Sequence, residues 1–229
     1  LCRGIDDDKD QSYVLFGIPR DQLRSTLLPI GEYETKEEVR ELARKFGLPV
    51  FNKPDSQEIC FVPDNDYASF VERERPELAS ARGEIRDTSG NTLGVHDGQH
   101  RFTIGQRRKI GVALGHPIYV VDKDPATNTV TIGEEDDLLS TWCRVGDANW
   151  LVGVGFDRWR PCLARCRYNG ELAPAEFRRI PDDETAFEVR FETPQRAVTP
   201  GQALVVHDLA DPDRVLGGGW IAMARREAL

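Results

Sequence analysis

The spacing of hydrophobic positions changes along this chain. In "TKEEVRELARKFG", residues 35–47, Val39, Leu42, Ala43 and Phe46 recur at i, i+3, i+4 and i+7, the single apolar stripe of a helix. Thr35 supplies an N-cap and Glu38 completes a capping box, while Gly47 and Pro49 stop the helix. A weaker helix covers residues 66–75, with Tyr67, Phe70 and Val71 on one side and Pro76 after it. Between the two, "LPVFNKP" reads as a short strand and a loop, so the early chain is mixed α/β.

After Pro76 the period falls to two. "GEIRDTSGNTLGVHDG" reads as two strands around Ser89-Gly90-Asn91, and "IYVVDKDPATNTVTIG" alternates on either side of a turn at residues 125–128. "RCRYNGELAPAEF" carries Asn169-Gly170, a strong hairpin signal, and "TAFEVRFETP", "TPGQALVVHD" and "RVLGGGWIAMA" continue an all-β tail. Short strands with regular turn signals suggest small barrels. The expected division is 1–78 for an α/β part, 79–145 for a β-rich central domain and 146–229 for a C-terminal β-barrel. Gly217-Gly218-Gly219 lies in a β context, where close backbone packing or a bulge explains it better than a phosphate cradle.

Composition narrows the function classes. The chain has 229 residues, 39% hydrophobic and 30% charged, an ordinary folded composition. Its net charge of −9 argues against nucleic-acid binding over the whole surface but leaves room for local basic patches. Two windows qualify. "RFTIGQRRK" holds Arg101, Arg107, Arg108 and Lys109 and no acid; "RWRPCLARCRY" holds Arg158, Arg160, Arg165 and Arg167 with Trp159 and Tyr168 interleaved. Arginine with aromatics suits phosphate contact and base stacking; solvated cationic strand faces are the bland alternative. Tyr168 reads equally as a stacking platform or a cross-strand packing partner. No stretch is apolar enough to span a bilayer, and none of the opening residues has the layout of a secretion signal.

The five cysteines are Cys2, Cys60, Cys143, Cys162 and Cys166. An odd count without a secretion signal fits free thiols in a reducing cytoplasm. Cys162 and Cys166 lack a second pair at zinc-ligand spacing, so no bound metal is expected. Cys60 stands in the apolar run of "PDSQEICFVP", directly after a polar, turn-prone stretch. It reads either as a packed core thiol or as a sulfur at a loop edge; Asp55 and Glu58 nearby do not favour a thiolate.

Five stretches in order, "LCRGIDDDKDQSYVLF", "FNKPDSQEICFVP", "GEIRDTSGNTLGVHDGQHRFTIGQRRKIG", "IYVVDKDPATNTVTIG" and "FETPQRAVTPGQALVVHD…VLGGGWI", closely resemble the tRNA-specific 2-thiouridylases, the tRNA-uridine 2-sulfurtransferases. The resemblance covers about residues 1–222. It implies the tail of a PP-loop ATP-binding α/β (Rossmann-like) domain, a small central β-rich domain, and a C-terminal barrel like the second domain of elongation factor Tu. It also implies ATP-dependent 2-thiolation of the wobble uridine of tRNA, with ATP and Mg2+ as cofactors of the complete enzyme. Cys60 then corresponds to the catalytic cysteine that carries a persulfide. Lys9, Asp10 and Gln11 in "KDQSY", Arg167 with Tyr168, and Gln202 in "TPGQ" match tRNA contacts, and Arg101, Arg107, Arg108 and Lys109 are candidate phosphate contacts. The implied partners are the tRNA anticodon arm and a sulfur-donor relay protein or cysteine desulfurase, for a cytoplasmic monomer without membrane association. The family's "SGGVDSS"-like ATP loop and first catalytic cysteine have no counterpart in the sequence. The expectation is therefore a piece of a longer chain, inactive alone. The alternatives are a non-catalytic tRNA-binding fragment and a β-barrel interaction module.

Overall fold

A computed structural model describes residues 1–53, 62, 66–78, 81–153 and 158–225. The chain divides into two compact units, Leu1–Lys53 with Ser140–Leu229, and Pro54–Leu139.

In the second of these, α3 (Tyr67–Glu74) is capped by Asp66, whose carboxylate accepts from the Ser69 backbone N–H at 3.0 Å and the Ser69 hydroxyl at 2.6 Å. Four strands follow, β1 (Gly83–Asp87), β2 (Thr92–His96), β3 (Tyr119–Asp124) and β4 (Thr129–Gly133), in the sheet order β2-β1-β4-β3. The hairpins β1–β2 and β3–β4 are antiparallel; β1 and β4 run parallel and join them. Ile85, Val120, Val130 and Ile132 alternate inward and bury a core with Phe102, Ile110 and Ile118.

The discontinuous unit is built on a closed barrel of β5 (Leu139–Trp150), β6 (Arg160–Arg165), β7 (Ala173–Ile180), β8 (Asp183–Arg196), β9 (Ala203–His207) and β10 (Val215–Arg225), in the order β10-β5-β8-β7-β6-β9. Phe177, Phe187 and Phe191 fill it from β7 and β8, and Trp150 stacks on Phe177 with centroids 5.5 Å apart. The boundary expected near residue 146 falls inside β5. The strand continues through Gly146-Asp147, with Asp147 at φ 49. The triple glycine does let backbones approach closely. A Cβ at Gly217 would lie 2.4 Å from the Asn149 carbonyl, at Gly218 2.5 Å from the Leu204 carbonyl, and at Gly219 2.4 Å from the Gly146 carbonyl.

The N-terminal segment docks on this barrel. α1 (Ser12–Leu15) brings Tyr13 and Phe16 against Leu151, Ala203, Val205 and Val215, a second small core. Asn149 donates through Nδ2 to the carbonyls of Phe16 and Ile18, at 2.7 and 2.8 Å. α2 (Lys36–Lys45) forms as its pattern predicts, with the Thr35 hydroxyl accepting from the Glu38 N–H, yet none of its residues is buried and Phe46 is 71% exposed. The strand expected in "LPVFNKP" is instead a run of turns, closed by Phe51 N–H to the Leu48 carbonyl and Lys53 N–H to the Val50 carbonyl. Pro49 fixes its own φ and lacks a donor, which suits a turn better than a ladder.

Candidate nucleic-acid interface

Three stretches far apart in sequence meet on the discontinuous unit: residues 9–13, the end of β6 with residues 166–168, and the turn leading into β9. Gln11 donates through Nε2 to the Tyr168 hydroxyl, across 157 residues of chain. Tyr13 packs edge-on against Tyr168 with centroids 6.2 Å apart, and the Tyr13 hydroxyl donates to the Ala203 carbonyl at 2.7 Å. Ala203 follows Gln202 directly, so Tyr13 ties the Tyr168 end of the site to the Gln202 end. Lys9, Gln11, Tyr168 and Gln202 are exposed, and Arg167 is half-buried.

Beneath this face lies a nearly closed polar cluster. The Asp10 side chain is 1% exposed and accepts from the backbone N–H of Gly4 and Ser12, both at 3.0 Å, and from the Ser12 hydroxyl at 2.7 Å. Arg165 donates to it at 3.2 Å, and the Arg3 guanidinium stands 3.7 Å away. Burial alone would raise the Asp10 carboxyl; the bonds from Ser12 and Gly4, with the Arg165 charge, outweigh it and hold the carboxyl below the usual range. Arg3, Ser12, Tyr13 and Arg165 belong to the site's foundation, and local sequence gave no signal for that role. His207, fully buried nearby, donates through Nδ1–H to the Pro212 carbonyl at 2.9 Å, while its Nε2 has no partner among the described residues. Burial pushes its pKa down to about 4, and the charges of Arg165 and Arg3 push the same way.

The first cationic window is a tightly knitted loop in the other unit. Gly105 N–H donates to the Val120 carbonyl and Val120 N–H to the Gln106 carbonyl, pinning the loop to β3. The Gln106 side chain accepts from Thr103 N–H at 3.0 Å and donates to the Arg108 carbonyl at 2.8 Å. Lys109 takes a left-handed φ of 60, and Arg107, Arg108 and Lys109 are exposed. Arg101 is drawn aside into an ion pair with Glu72, which also bonds His100 at 2.8 Å. In the second window Arg165 is buried. The guanidinium groups of Arg178 and Arg190 both stand over the Trp159 ring, 4.5 and 4.3 Å from its centroid, and they pair with Glu188 and Glu176. That window is thus a cross-strand ladder more than an open stacking surface.

Cys60 lies outside the described residues, as do Asp55 and Glu58. Of the other thiols, Cys2 is exposed. Burial raises Cys162 and Cys166 to about 12, and Cys143, fully enclosed in the barrel, is raised well above its ordinary value. Among the described residues no group of three or more His, Cys, Asp and Glu side chains is arranged to hold a metal ion, and no helix is long and apolar enough to cross a membrane. Nor do residues 1–53 offer a glycine-rich phosphate loop opening a helix after a strand, so they do not by themselves fit ATP.

Three family models match the chain in order: a tRNA methyl transferase HUP domain over residues 1–64, a tRNA methyl transferase PRC-barrel domain over 69–134, and an aminomethyltransferase beta-barrel domain over 140–221. Among curated relatives, the tRNA-specific 2-thiouridylase MnmA of Lachnoclostridium phytofermentans is 49% identical, over 93% of this chain and 58% of its own length. That of Carboxydothermus hydrogenoformans is 48% identical over 96% of this chain and 59% of its own, and that of Solibacter usitatus 46% identical over 96% and 60%. The chain therefore spans somewhat under two thirds of the length of these relatives. With the family's three domains matched in sequence order, and identity approaching one half along nearly all of its residues, this chain belongs to the tRNA-specific 2-thiouridylase family.

Proposed function

We propose that this chain serves the ATP-dependent 2-thiolation of the wobble uridine of tRNA, with Cys60 carrying the transferred sulfur as a persulfide. The anticodon arm docks on the face made by Lys9, Gln11, Arg167, Tyr168 and Gln202. Asp10 enters through the loop it holds, because its carboxylate oxygens are spent inside the protein. Arg107, Arg108 and Lys109 supply phosphate contacts. Sequence-specific RNA readers work on splayed loop bases, and an anticodon loop offers them, so an acidic chain needs only focused cations and an aromatic platform. Residues 1–53 have no glycine-rich phosphate loop and do not by themselves hold ATP. The single observation that carries the reading is the meeting of Gln11 with Tyr168: two stretches that match the family's tRNA contacts converge on one exposed face. Support for Cys60 comes from the thiols around it in the sequence, since three of the other four are held protonated by the barrel. A sulfur donor needs an accessible thiolate.

The test loads the chain with sulfur from a cysteine desulfurase and free cysteine, followed by mass spectrometry. One added sulfur atom on the peptide containing Cys60, removed by reductant and absent in Cys60→Ser, is expected, with tRNA binding unchanged by that substitution. Sulfur on Cys2 alone overturns the assignment. tRNA binding with no sulfur uptake favours a pure RNA-binding module, and failure to bind tRNA favours a protein-interaction barrel.

A further inference from the structure

We infer that Arg167 is a positioning residue of the tRNA face: its guanidinium holds the turn of residues 196–202, and through it Gln202, in place of neutralising a phosphate. The inference rests on the docking reading above and deepens it.

Arg167 Nη2 donates to two successive carbonyls, those of Arg196 at 2.8 Å and Ala197 at 3.0 Å. Ala197 has φ 50, a left-handed conformation that a residue with a Cβ adopts reluctantly. It is also 3% exposed, so water can do little to satisfy its backbone. The Thr199 hydroxyl donates to the same Ala197 carbonyl at 2.9 Å. From there Gln202 N–H donates to the Thr199 carbonyl at 3.1 Å, Gly201 N–H to the Ile221 carbonyl at 2.8 Å, and Ile221 N–H to the Gln202 carbonyl at 2.8 Å. An unbroken series of hydrogen bonds thus runs from the Arg167 charge to the backbone of Gln202. On its other side, the Arg167 carbonyl accepts from Gly170 N–H at 3.0 Å, and the next residue is Tyr168, whose hydroxyl is taken by Gln11. Charge-assisted bonds to a strained turn fix its shape strongly. Both bonds come from Nη2, so the protons of that nitrogen are committed to the turn.

A phosphate contact and a clamp predict different salt behaviour. Binding of a tRNA transcript with uridine at the wobble position is measured by fluorescence anisotropy across a salt series. The chains compared are the wild type, Arg167→Ala, and Arg167→Ala with Ala197→Gly. Glycine takes left-handed φ without steric cost, so the turn then needs less clamping. Arg167→Ala is expected to weaken binding roughly tenfold, the scale of a missing bond to a charged group. The slope of log K against log salt is expected to stay unchanged, and Ala197→Gly to restore most of the affinity. A slope reduced by roughly 0.7–0.9, the signature of one phosphate no longer neutralised, overturns the inference, as does unchanged affinity or failure of the glycine to rescue. Hydrogen exchange without tRNA gives a separate readout. The amides of Gly201, Gln202 and Ile221 are expected to exchange faster in Arg167→Ala and to recover in the double variant; unchanged exchange rejects the clamp. Exchange that responds as expected in a chain that binds no tRNA overturns the docking reading instead.

Discussion

Removing the charge of Asp10 would leave the guanidinium groups of Arg3 and Arg165 facing a neutral amide where little water reaches; their side chains are 15% and 9% exposed. Asp10→Asn is expected to cost about 3–5 kcal/mol, the scale of a buried ion pair deprived of one partner. Adding Arg165→Met should return part of that cost, and urea unfolding of the three chains checks both statements. His207 makes a second residue-level prediction. Its pKa falls from 6.5 to about 4 on folding, so its stabilising contribution is complete above pH 6.5 and is lost as pH falls toward 4. Asp10, Arg3 and Arg165 are the charged groups that act on it. The loss amounts to roughly 3 kcal/mol at the acid end. His96 is shifted the same way by burial and adds to the effect. His207→Gln should flatten the pH dependence of the urea midpoint between pH 4 and 6.5; an unaltered profile would reject the assignment. Gln11 and Tyr168 stand in motifs that single them out in the sequence, and in the fold they are hydrogen-bonded to each other. The burial of Asp10 has no such signal. An acid between Lys9 and Gln11 reads as a solvated loop residue, and the arginine that buries it stands 155 positions away.

At the level of elements, alternation and turn chemistry carried most of the β architecture. Ser89-Gly90-Asn91 and Asn169-Gly170 do turn the chain between paired strands, and both helices begin within a residue of their predicted caps. Local signals failed where a long-range partner decided the outcome. The boundary expected near residue 146 lies inside β5, because β10 pairs on both sides of it, Gly218 with Asn149 and Trp220 with Gly146, with a bulge between. The apolar stripe of α2 has helical spacing but no buried residue, because spacing specifies a face and says nothing of what covers it. The glycine triplet was legible as a packing feature, and it yields a sharp test. Gly218→Ala would place a methyl 2.5 Å from the Leu204 carbonyl and 2.9 Å from the Phe16 ring, forcing β10 away from β9 and from the docked N-terminal segment. A loss of about 1–3 kcal/mol is expected from thermal unfolding. Gly90→Ala, in an open hairpin turn at φ 88, meets no neighbour within 4 Å, so its cost is the left-handed backbone alone, about 1–2 kcal/mol.

For the molecule as a whole, charge sets how tRNA can be held. At a net charge of −9 the long-range field repels nucleic acid, so affinity must come from short-range cations and should fall steeply with salt. Replacing Arg107, Arg108 and Lys109 together by alanine is expected to reduce the salt slope by roughly 0.7–0.9 for each phosphate these side chains neutralise. An unaltered slope in the same titration would remove that loop from the interface. The discontinuous unit has a further consequence, for the order in which the protein comes into being. Tyr13 meets Ala203 only across 190 positions, and Leu1 and Cys2 bond to residues 214–215. A ribosome adding about 5–20 residues per second needs roughly 10–40 s to make that stretch. Throughout that interval Tyr13 and Phe16 lack the barrel residues that bury them in the folded chain. Their docking waits until β9 and β10 have left the exit tunnel.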